Sequence, residues 1–435
     1  MELFFELAGS EAVSKVLETI DRRRSEIVEF LETLVRFETP CPPGVNTAPA
    51  QRWLAKELER IGFKTEMFDV FPGEPDLVGV LKGLGGGRSI LLNGHVDVAE
   101  VRPDERWRYP PFSATVERNR LYGRGAFDMK GGLAAMITAV DAVVRSGLGL
   151  KGDVVVESVI GEEAGEPGTV RCVERGYRAD FAVIPEPSEG AIVTGQGGCI
   201  TVWITVKSPI TLHDGTRVSW IHAGGGMEGA SAIEKMVKII GALQELERHW
   251  AVVKVYPGVR PGMTTINPAV IEGGRHPAFI ADECRLWCTI HMLPNERCED
   301  VIAEVEDYVR RVAQADLWLR KHPPTFRWGG TSLVKDRGEV FPPSEVDRNH
   351  PGVEVLASAH RCVTGEEPRF SISPSVGDSG WLAKAGIPAV YYGPGGSWKQ
   401  AHAIDEFVDL DEVVKVAKVL ALTVLEWCGY VERSV

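Results

Sequence analysis

Six histidine and acidic residues lie where apolar segments or glycine-rich turns of this 435-residue sequence end: His95, Asp128, Glu162, Glu163, Glu186 and His402. Imidazole nitrogens and carboxylate oxygens are common ligands of divalent metals, and a carboxylate that binds no metal can act as a general base. A site with two metals that share one carboxylate needs about five protein ligands, and hydrolysis needs one further base. A buried histidine or a solvated glutamate pair would explain any one of these residues alone, but the whole set predicts a two-metal hydrolytic site.

The stretch from residue 90 to residue 132 contains the first two of these residues. Its first part, Ile-Leu-Leu-Asn-Gly-His-Val-Asp-Val, has the apolar character of a buried strand. Because side chains alternate along a strand, His95 and Asp97 point to the same side of it. The second part places Asp128 in a glycine-rich turn directly before an alanine-rich helical segment, Leu133 to Val144. The stretch therefore predicts one metal ligand at the end of a strand and another in the turn before a helix.

Three further apolar segments end close to the remaining candidates. Residues 153–160 run into Gly-Glu-Glu-Ala-Gly, residues 180–184 run into Pro-Glu-Pro, and residues 386–392 run into Gly-Pro-Gly before His402. Helical patterns alternate with these segments and cover residues 11–37, about 48–61 and about 410–428. Alternating helices and apolar strands predict an α/β domain with a mostly parallel sheet, in which ligands bind at the carboxyl ends of the strands.

The stretch Gly83-Leu-Gly-Gly-Gly87 has the glycine content of a phosphate-binding loop. It lacks the Lys-Ser or Lys-Thr pair that such a loop needs. It also lies between two segments with strand character, at about 77–82 and at 89–97. The pattern therefore predicts a hairpin turn.

Residues 197–330 differ in pattern from the rest of the chain. Alternating strand segments, Thr201–Val206 and Ala281–His291, accompany helical segments at 228–248 and 297–320. A strand–helix–strand–strand–helix–strand order is typical of a small α+β domain of the ferredoxin-like type. The chain is also too long for one hydrophobic core. We therefore predict a catalytic metal-binding domain, residues 1–196 and 331–435, that is interrupted by an inserted domain, residues 197–330.

Charge and composition argue against several classes of partner. The net charge is −13 and no basic patch stands out, which argues against a nucleic-acid-binding protein. No apolar run approaches the length of a membrane span, and the apolar Leu3-Phe4-Phe5 has no basic segment before it, so neither a membrane span nor a signal peptide is expected. The eight cysteines are scattered without a Cys-x-x-Cys pair, which favours the reduced thiols of a cytoplasmic protein.

Five blocks of the sequence resemble a known family. They are Gly94-His-Val-Asp-Val98, Gly123-Arg-Gly-Ala-Phe-Asp-Met-Lys-Gly-Gly132, Gly161-Glu-Glu-Ala-Gly165, Pro185-Glu-Pro187, and Gly393-Pro-Gly395 followed by Ala401-His402. In this order, and over nearly the whole chain, they resemble the two-zinc amidohydrolases. This is the group of acetylornithine deacetylase, succinyl-diaminopimelate desuccinylase, aminoacylase and carboxypeptidase G. Five blocks in the family's order are far more specific than any one of them.

The resemblance implies a role for each candidate. Asp128 would bridge two divalent metal ions, by default Zn²⁺, although Co²⁺ or Mn²⁺ could serve. The other ligands would be His95 and Glu186 for one ion, and Glu163 and His402 for the other. Asp97 would orient His95, and the peptide bond after Asp128 is typically cis in this family. Glu162 would be the general base that takes a proton from the metal-bridging water and returns it to the leaving amine.

The resemblance extends to the inserted domain, which is a lid and dimerisation domain in this family. His222 would stabilise the oxyanion in the partner subunit's site, so a homodimer is implied, although a histidine in a glycine-rich loop can also cap the next helix. Asn267 and Gly395 are candidates for substrate contact. Many members carry an arginine after a lid strand, where it holds the substrate carboxylate. The corresponding stretch here, Thr289-Ile-His-Met-Leu-Pro-Asn295, has no arginine.

The expected function is hydrolysis of the amide bond of a small N-acyl amino acid, of the acetylornithine deacetylase or succinyl-diaminopimelate desuccinylase type. A dipeptidase or carboxypeptidase of the same family differs only in its substrate pocket and stays an alternative. A non-catalytic relative that binds ligands would have lost the base or a metal ligand, and neither loss is visible. A single-metal structural role would leave Glu162 without a purpose.

Overall fold

The computed structural model describes residues 10–41, 45–165, 168–217, 229–330, 340–373 and 375–432. The chain forms two compact units. Unit 1 consists of Met1–Gly195, Ser344–Ser373 and Gly377–Val435, and unit 2 consists of Gln196–Pro343 and Pro374–Val376. All six candidates, from His95 to His402, belong to unit 1, although unit 2 interrupts this unit in the sequence.

The α-helices of the described residues are α1 (Glu11–Arg22), α2 (Arg24–Arg36), α3 (Thr47–Ile61), α4 (Gly131–Arg145), α5 (Gly168–Glu174), α6 (Ala232–Val253), α7 (Cys298–Ala315), α8 (Pro351–Thr364), α9 (Ser379–Lys384) and α10 (Leu410–Cys428). The helical pattern at 11–37 is divided between α1 and α2, because the backbone at Arg23 leaves helical geometry (φ −104°, ψ 16°). The Ser10 side chain accepts a hydrogen bond from the N–H of Val13 and so caps α1. Helix α3 ends at Gly62, in the left-handed conformation that glycine favours. None of these helices combines the length and the hydropathy needed to cross a membrane.

The strands fall in both units. In chain order they are β1 (Pro40–Cys41), β2 (Lys64–Phe71), β3 (Glu74–Leu81), β4 (Ile90–His95), β5 (Val98–Ala99), β6 (Thr115–Glu117), β7 (Arg120–Tyr122), β8 (Leu148–Leu150), β9 (Val154–Val159), β10 (Phe181–Ile184), β11 (Ala191–Gln196), β12 (Gly198–Lys207), β13 (Ile266–Gly273), β14 (Glu283–Met292), β15 (Thr325–Trp328), β16 (Val340–Phe341), β17 (Ser344–Glu345), β18 (Arg369–Ser373), β19 (Ala389–Tyr391), β20 (Phe407–Asp409) and β21 (Tyr430–Glu432).

The main sheet of unit 1 has nine strands in the order β17-β11-β19-β10-β4-β9-β3-β2, with β18 beside β11. Its four central strands, β19, β10, β4 and β9, are parallel. Antiparallel neighbours extend the sheet, at β11 on one side and at β3 and β2 on the other. The predicted α/β fold is confirmed, and its parallel part is the centre of the sheet.

Both faces of the main sheet are buried. Alternate residues of β4 reach opposite faces, so Ile90 and Leu92 pack in one hydrophobic cluster and Leu91 packs in another. The apolar residues of α4 and α10 belong to the first of these clusters. A parallel sheet covered on both faces leaves the ends of its strands as the place where polar residues can meet a ligand.

The predicted hairpin turn at Gly83–Gly87 is wrong. This segment joins β3 to β4, and β9 lies between these two strands in the sheet. The glycines allow close packing against other loops instead. A Cβ at Gly83 would lie 2.3 Å from the carbonyl oxygen of Lys151, and a Cβ at Gly87 would lie 2.0 Å from that of Cys428.

Unit 2 contains an antiparallel sheet in the order β13-β14-β12-β15, with β16 beside β12. Alternate residues of β14, from Cys284 to Met292, pack with the apolar residues of α6 and α7 in one hydrophobic cluster. The chain order β12-α6-β13-β14-α7-β15 is the order that the sequence pattern predicts for the insert. Strand β16 lies beyond the predicted boundary at residue 330, and it falls in unit 2 because it pairs with β12.

Candidate active site

The carboxyl ends of the four parallel strands lead to most of the candidate residues. His95 is the last residue of β4, and Glu162–Glu163 begin a short 3-10 helix after β9. Glu186 follows β10, and His402 lies in the segment after β19. Asp128 lies in the turn before α4. Because parallel strands end at the same edge of a sheet, residues that are far apart in the sequence meet there.

Two groups of three possible ligands share Asp128. One group is His95, Asp128 and Glu186, and the other is Asp128, Glu163 and His402; within each group the ligand atoms lie within 4.8 Å of one another. Asp128 Oδ1 is 3.5 Å from His95 Nε2, and Asp128 Oδ2 is 3.3 Å from His402 Nε2. The two oxygens of one carboxylate therefore face the two groups, as a bridging ligand requires.

The ring of His95 is held so that one nitrogen is left for a ligand. Its Nδ1 lies 2.9 Å from the backbone carbonyl oxygen of Asp97, which accepts the Nδ1 proton. Its Nε2 is buried and makes no hydrogen bond, and it lies 3.2 Å from Glu186 Oε1. A buried imidazole nitrogen that faces carboxylates without a hydrogen bond is the arrangement that a metal ion satisfies.

Asp97, which the resemblance implies as the residue that orients His95, makes its hydrogen bond to that ring through its backbone carbonyl. Asp97 Oδ1 is 3.7 Å from His95 Nδ1, farther than a hydrogen bond. Asp97 Oδ2 instead accepts a hydrogen bond from the backbone N–H of Glu163, at 3.2 Å. The same residue therefore contacts one ligand from each group.

Crowded carboxylates perturb the acid–base properties of the site. Burial raises the pKa of Glu186 to about 8 and also raises the pKa of Glu163. Hydrogen bonds to Asp128 and Glu163 raise the pKa of His402 to about 10. Burial lowers the pKa of His95, but the carboxylates of Glu186 and Asp128 outweigh it and raise that pKa well above its ordinary value. Divalent cations would keep the carboxylates ionised and the imidazoles neutral, so this donor set fits two such ions.

Glu162 lies beside the two groups and belongs to neither of them. The glycines that flank its 3-10 helix, Gly161 (φ 90°) and Gly165 (φ 65°), adopt the left-handed conformation that other residues rarely take. A Cβ at Gly377 would lie 3.2 Å from Glu162 Oε1, so the backbone approaches this carboxylate closely. Burial raises the pKa of Glu162 well above its ordinary value, and the carboxylate of Glu186 raises it further. A carboxylate that lies near the ligands without being one of them is positioned to act as a base.

The predicted substrate contacts fall in different places. Gly395 lines a cavity of about 640 Å³ together with Phe127, which directly precedes Asp128 in the chain. The N–H of Gly395 donates to Glu412 Oε2 at 2.8 Å, and a Cβ at this position would lie 2.3 Å from the same oxygen. Asn267 is an exposed residue of β13 in unit 2. His222 lies outside the described residues.

Two buried charged residues of the site were not singled out by the sequence analysis. Arg124 precedes the turn of Asp128, and Glu406 follows His402 in the chain. Their side chains form an ion pair, with Arg124 Nη1 at 2.7 Å from Glu406 Oε2. Arg124 stands inside one of the five sequence blocks and Glu406 lies just after another, so the pattern contained a signal for both. The peptide bond between Asp128 and Met129 is cis, as the resemblance implies.

Comparisons with known proteins find sequences similar to this chain over nearly its whole length. The family model described as peptidase family M20/M25/M40 matches residues 91–426. The chain is 51% identical over 412 residues to an N-formyl-4-amino-5-aminomethyl-2-methylpyrimidine deformylase of Bacillus subtilis (strain 168), with 94% of this chain and 96% of the relative covered. It is 26% identical over 413 residues to a succinyl-diaminopimelate desuccinylase of Marinobacter nauticus, with 92% of this chain and 98% of the relative covered.

Similarity to solved structures concerns the fold. The crystal structure of an M20 family metallo-carboxypeptidase, Sso-CP2 from Sulfolobus solfataricus, aligns with a TM-score of 0.67 at 19% sequence identity. The alignment covers 92% of this chain and 98% of that chain. The arrangement of strands and helices is therefore shared, while most side chains differ.

Proposed function

Because the chain belongs to peptidase family M20/M25/M40, we propose that it hydrolyses the formamide group of a small N-formylated aminomethylpyrimidine with two divalent metal ions. The resemblance drawn from the five sequence blocks is confirmed, and the chain is an enzyme that acts on amide bonds. The observation that carries the proposal is the position of Asp128 between two groups of ligands, with Glu162 beside them.

We assign His95 and Glu186 to one metal ion, Glu163 and His402 to the other, and Asp128 to both. Divalent metals at such a site lower the pKa of water towards about 7 and polarise a carbonyl oxygen. Zn²⁺ is the metal we propose, since imidazole and carboxylate ligands suit it, and Co²⁺ or Mn²⁺ could replace it. The Asp97 carbonyl keeps a proton on His95 Nδ1 and so leaves Nε2 to bind the ion.

Glu162 carries the proton transfers in this proposal. It accepts the proton that water loses as its oxygen attacks the formyl carbon. It then returns this proton to the amine nitrogen as the carbon–nitrogen bond breaks, so that the free amine and formic acid form; the acid loses its remaining proton, which the amine takes up, and leaves as formate. His222 is proposed as the donor that stabilises the oxyanion of the tetrahedral intermediate.

Two observations support a formylated pyrimidine over an N-acyl amino acid. The relative at 51% identity is named for this substrate, and the two chains align over nearly their whole length. The stretch Thr289–Asn295, at the end of β14, contains no arginine. A substrate without a carboxylate makes no demand for such a charge, whereas a substrate carboxylate without a cationic partner would lose a charge-assisted hydrogen bond.

An N-acyl amino acid deacylase is the second candidate, supported by the relative at 26% identity that is named succinyl-diaminopimelate desuccinylase. A dipeptidase or carboxypeptidase of the same family comes after it. These candidates share the metal ligands and the base, and they differ in the groups that hold the rest of the substrate. Asn267 and Gly395 are proposed to contact the substrate in every case.

A substrate panel with controlled metal content tests the proposal. The protein is treated with a chelator and then assayed with and without added Zn²⁺, Co²⁺ or Mn²⁺. The panel contains the N-formyl aminomethylpyrimidine, N-formyl, N-acetyl and N-succinyl amino acids, and dipeptides. We expect metal-dependent release of formate from the pyrimidine at the highest kcat/KM. Faster cleavage of an N-succinyl or N-acetyl amino acid would favour the second candidate, and failure to bind two metals would contradict the site itself.

We further propose a homodimer that forms through unit 2. Strand β13 is at the edge of its sheet, and Ile271 on this strand is 55% exposed. Val237 on α6 is 63% exposed. Among the described residues no strand pairs with the outer side of β13, and an edge strand in a unit with exposed apolar residues favours pairing with a second copy of the chain. Sedimentation of the wild type as a dimer, and of Ile271→Asp as a monomer, is the expected result.

We propose a cytoplasmic location because the eight cysteines, all within the described residues, are thiols. We also propose that the chain acts on a small molecule and binds neither nucleic acid nor a membrane. The net charge of −13 supports the first of these exclusions.

A further inference from the structure

Arg124 and Glu406 form a completely buried ion pair next to the proposed metal ligands. Their side chains are 2% and 0% exposed. A buried ion pair costs much of its attraction in lost hydration, so by itself it is weak evidence for a role in stability. The hydrogen bonds that these two side chains make to other residues say more about their role.

Glu406 holds the backbone of the bridging ligand. Its Oε1 accepts hydrogen bonds from the N–H of Phe127 at 2.9 Å and from the N–H of Asp128 at 3.1 Å. Its Oε2 accepts the hydrogen bond from Arg124 at 2.7 Å. One oxygen of this carboxylate therefore fixes the turn of Asp128, and the other oxygen fixes Arg124.

Arg124 holds the backbone of a second ligand. Its Nη2 donates to the carbonyl oxygen of His402 at 3.1 Å, and its Nη1 donates to that of Ala403 at 3.2 Å. His402 has a φ of 56°, in the left-handed region that non-glycine residues rarely adopt. The guanidinium carbon lies 5.1 Å from the centre of the Trp107 ring, which covers it. A planar guanidinium with several donors can make these contacts at once, and a lysine ammonium cannot reproduce their geometry.

We propose that Arg124 and Glu406 are positioning residues that set the distance between Asp128 and His402 and thereby the affinity for the second metal ion. This inference rests on the proposed function, because it uses the assignment of Glu163, His402 and Asp128 to that ion. Arg124 and Glu406 are 282 residues apart in the chain, so the pair joins two distant segments. Asp128 also serves the first ion, but the other two ligands of that ion, His95 and Glu186, make no hydrogen bond to Arg124 or Glu406 among the described residues. Arg124 itself holds His402, so its replacement should act mainly on the second ion.

Titration of the metal-free protein with Co²⁺ tests this inference. The variant is Arg124→Lys, which keeps the positive charge and loses the fork of donors. We expect the first equivalent of Co²⁺ to bind as in the wild type, and the second to bind about 10–100-fold more weakly, as is typical when groups that orient metal ligands are removed. Calorimetry gives the two affinities, and the visible absorption of Co²⁺ reports the geometry of each site.

The matched control is Arg23→Lys. Arg23 also donates to a buried carboxylate of unit 1, that of Asp141, at 2.5 Å. It lines a different cavity, which none of the proposed ligands lines. Arg23→Lys should therefore lower stability without changing either metal affinity.

The outcomes separate this inference from the proposed function. A wild type that binds fewer than two ions overturns the metal assignment and this inference with it. A wild type that binds two ions, together with an Arg124→Lys variant that binds both equally well, overturns this inference alone. Should Arg124→Lys fail to fold, Glu406→Gln carries the test. Its amide oxygen can still accept from the N–H groups of Phe127 and Asp128, but its NH₂ group faces the donors of Arg124, so the second affinity should again fall.

Discussion

Buried carboxylates occur in both units of this protein, and they differ in what surrounds them. In unit 2, Asp316 forms ion pairs with Lys235 and Lys238 and accepts a hydrogen bond from the backbone N–H of Leu319. Burial alone would raise the pKa of Asp316, but these partners hold it below its usual range. In unit 1, burial raises the pKa of Glu186 to about 8; His95 opposes this rise, and the neighbouring carboxylate of Asp128 adds to it.

This difference distinguishes a carboxylate that stabilises the fold from carboxylates that are proposed to bind metal ions. At Asp316 the protein supplies the compensating charges and hydrogen bonds itself. At the candidate site, three proposed ligand carboxylates and the carboxylate of Glu162 meet two imidazoles, and we propose that bound cations supply the remaining compensation. The Asp316 side chain is 3% exposed and that of Glu186 is 14% exposed, and the two places differ most clearly in the charge of their neighbours.

The largest expected effect is that of Glu162→Ala on catalysis. Removal of the proposed general base should lower kcat by about 10²–10⁴-fold, because the proton transfers lose their acceptor and donor. The metal content should stay at two ions, since Glu162 belongs to neither group of ligands. Formate release and elemental analysis of the same preparation check both statements. Loss of a metal ion together with activity would make Glu162 a ligand instead of a base.

Metal binding should stabilise unit 1 markedly. With free Zn²⁺ at 100 times its Kd, each occupied site should add about 2.7 kcal/mol to the free energy of unfolding. Asp128→Asn should remove most of this gain, because Asp128 serves both groups of ligands. Urea unfolding with and without Zn²⁺ gives the difference. An equal gain in wild type and variant would mean that Zn²⁺ binds elsewhere.

Asp316→Ala should affect stability and leave the metals in place. Loss of its hydrogen bonds to lysines and backbone N–H groups should lower the free energy of unfolding by about 1–3 kcal/mol. The affinity for both metal ions should equal that of the wild type. Denaturant unfolding tests the expected loss of stability, and Co²⁺ titration tests the metal affinity. A changed metal affinity would show that Asp316 and the candidate metal site are not independent.

The pH dependence of stability should have opposite signs for Glu157 and Asp316. Burial raises the pKa of Glu157 to about 8, from an ordinary value of 4.5. The folded state therefore keeps a proton that the unfolded state releases between these pH values, and stability falls by about 1.4 kcal/mol per pH unit there. Asp316 has a lowered pKa, so its contribution is present above pH 3.8 and is lost as the pH falls below it.

The variant Glu157→Gln isolates the first of these effects. Glutamine fits the same space and carries no charge, and its amide oxygen can still accept from the side chain of Asn93. The free energy of unfolding of the variant should fall less steeply with pH than that of the wild type. Urea unfolding at several pH values between 4.5 and 8 measures both. Parallel curves for the two proteins would mean that Glu157 is ionised in the folded state.

Much of the fold follows from local patterns of the sequence. The helix at about 410–428 is α10 (Leu410–Cys428), and the strand segment at 153–160 contains β9. These elements have long apolar patterns with a single period, which the surrounding structure reinforces. The helical pattern at 11–37 does not show the break at Arg23, because one non-helical residue hardly disturbs the period.

The hairpin at Gly83–Gly87 was wrong for a different reason. A glycine-rich segment between two strands is compatible with a hairpin and with a connection that passes another strand. Which of the two forms depends on β9, which is inserted between β3 and β4 and lies more than sixty residues later in the chain. Local sequence carries no information about that insertion.

What the sequence determined by itself is the chemistry of the candidate site: which residue types stand at the ends of the strands, and in which order. These are properties of short segments, in which alternation and turn residues place each side chain. Only the tertiary structure decided that the Asp97 carbonyl accepts the hydrogen bond from His95 while its carboxylate lies 3.7 Å away. It also decided that Arg124 and Glu406 join the turns of Asp128 and His402. Such contacts depend on distances of a few tenths of an ångström between segments far apart in the chain, and these distances are set by packing of the whole unit.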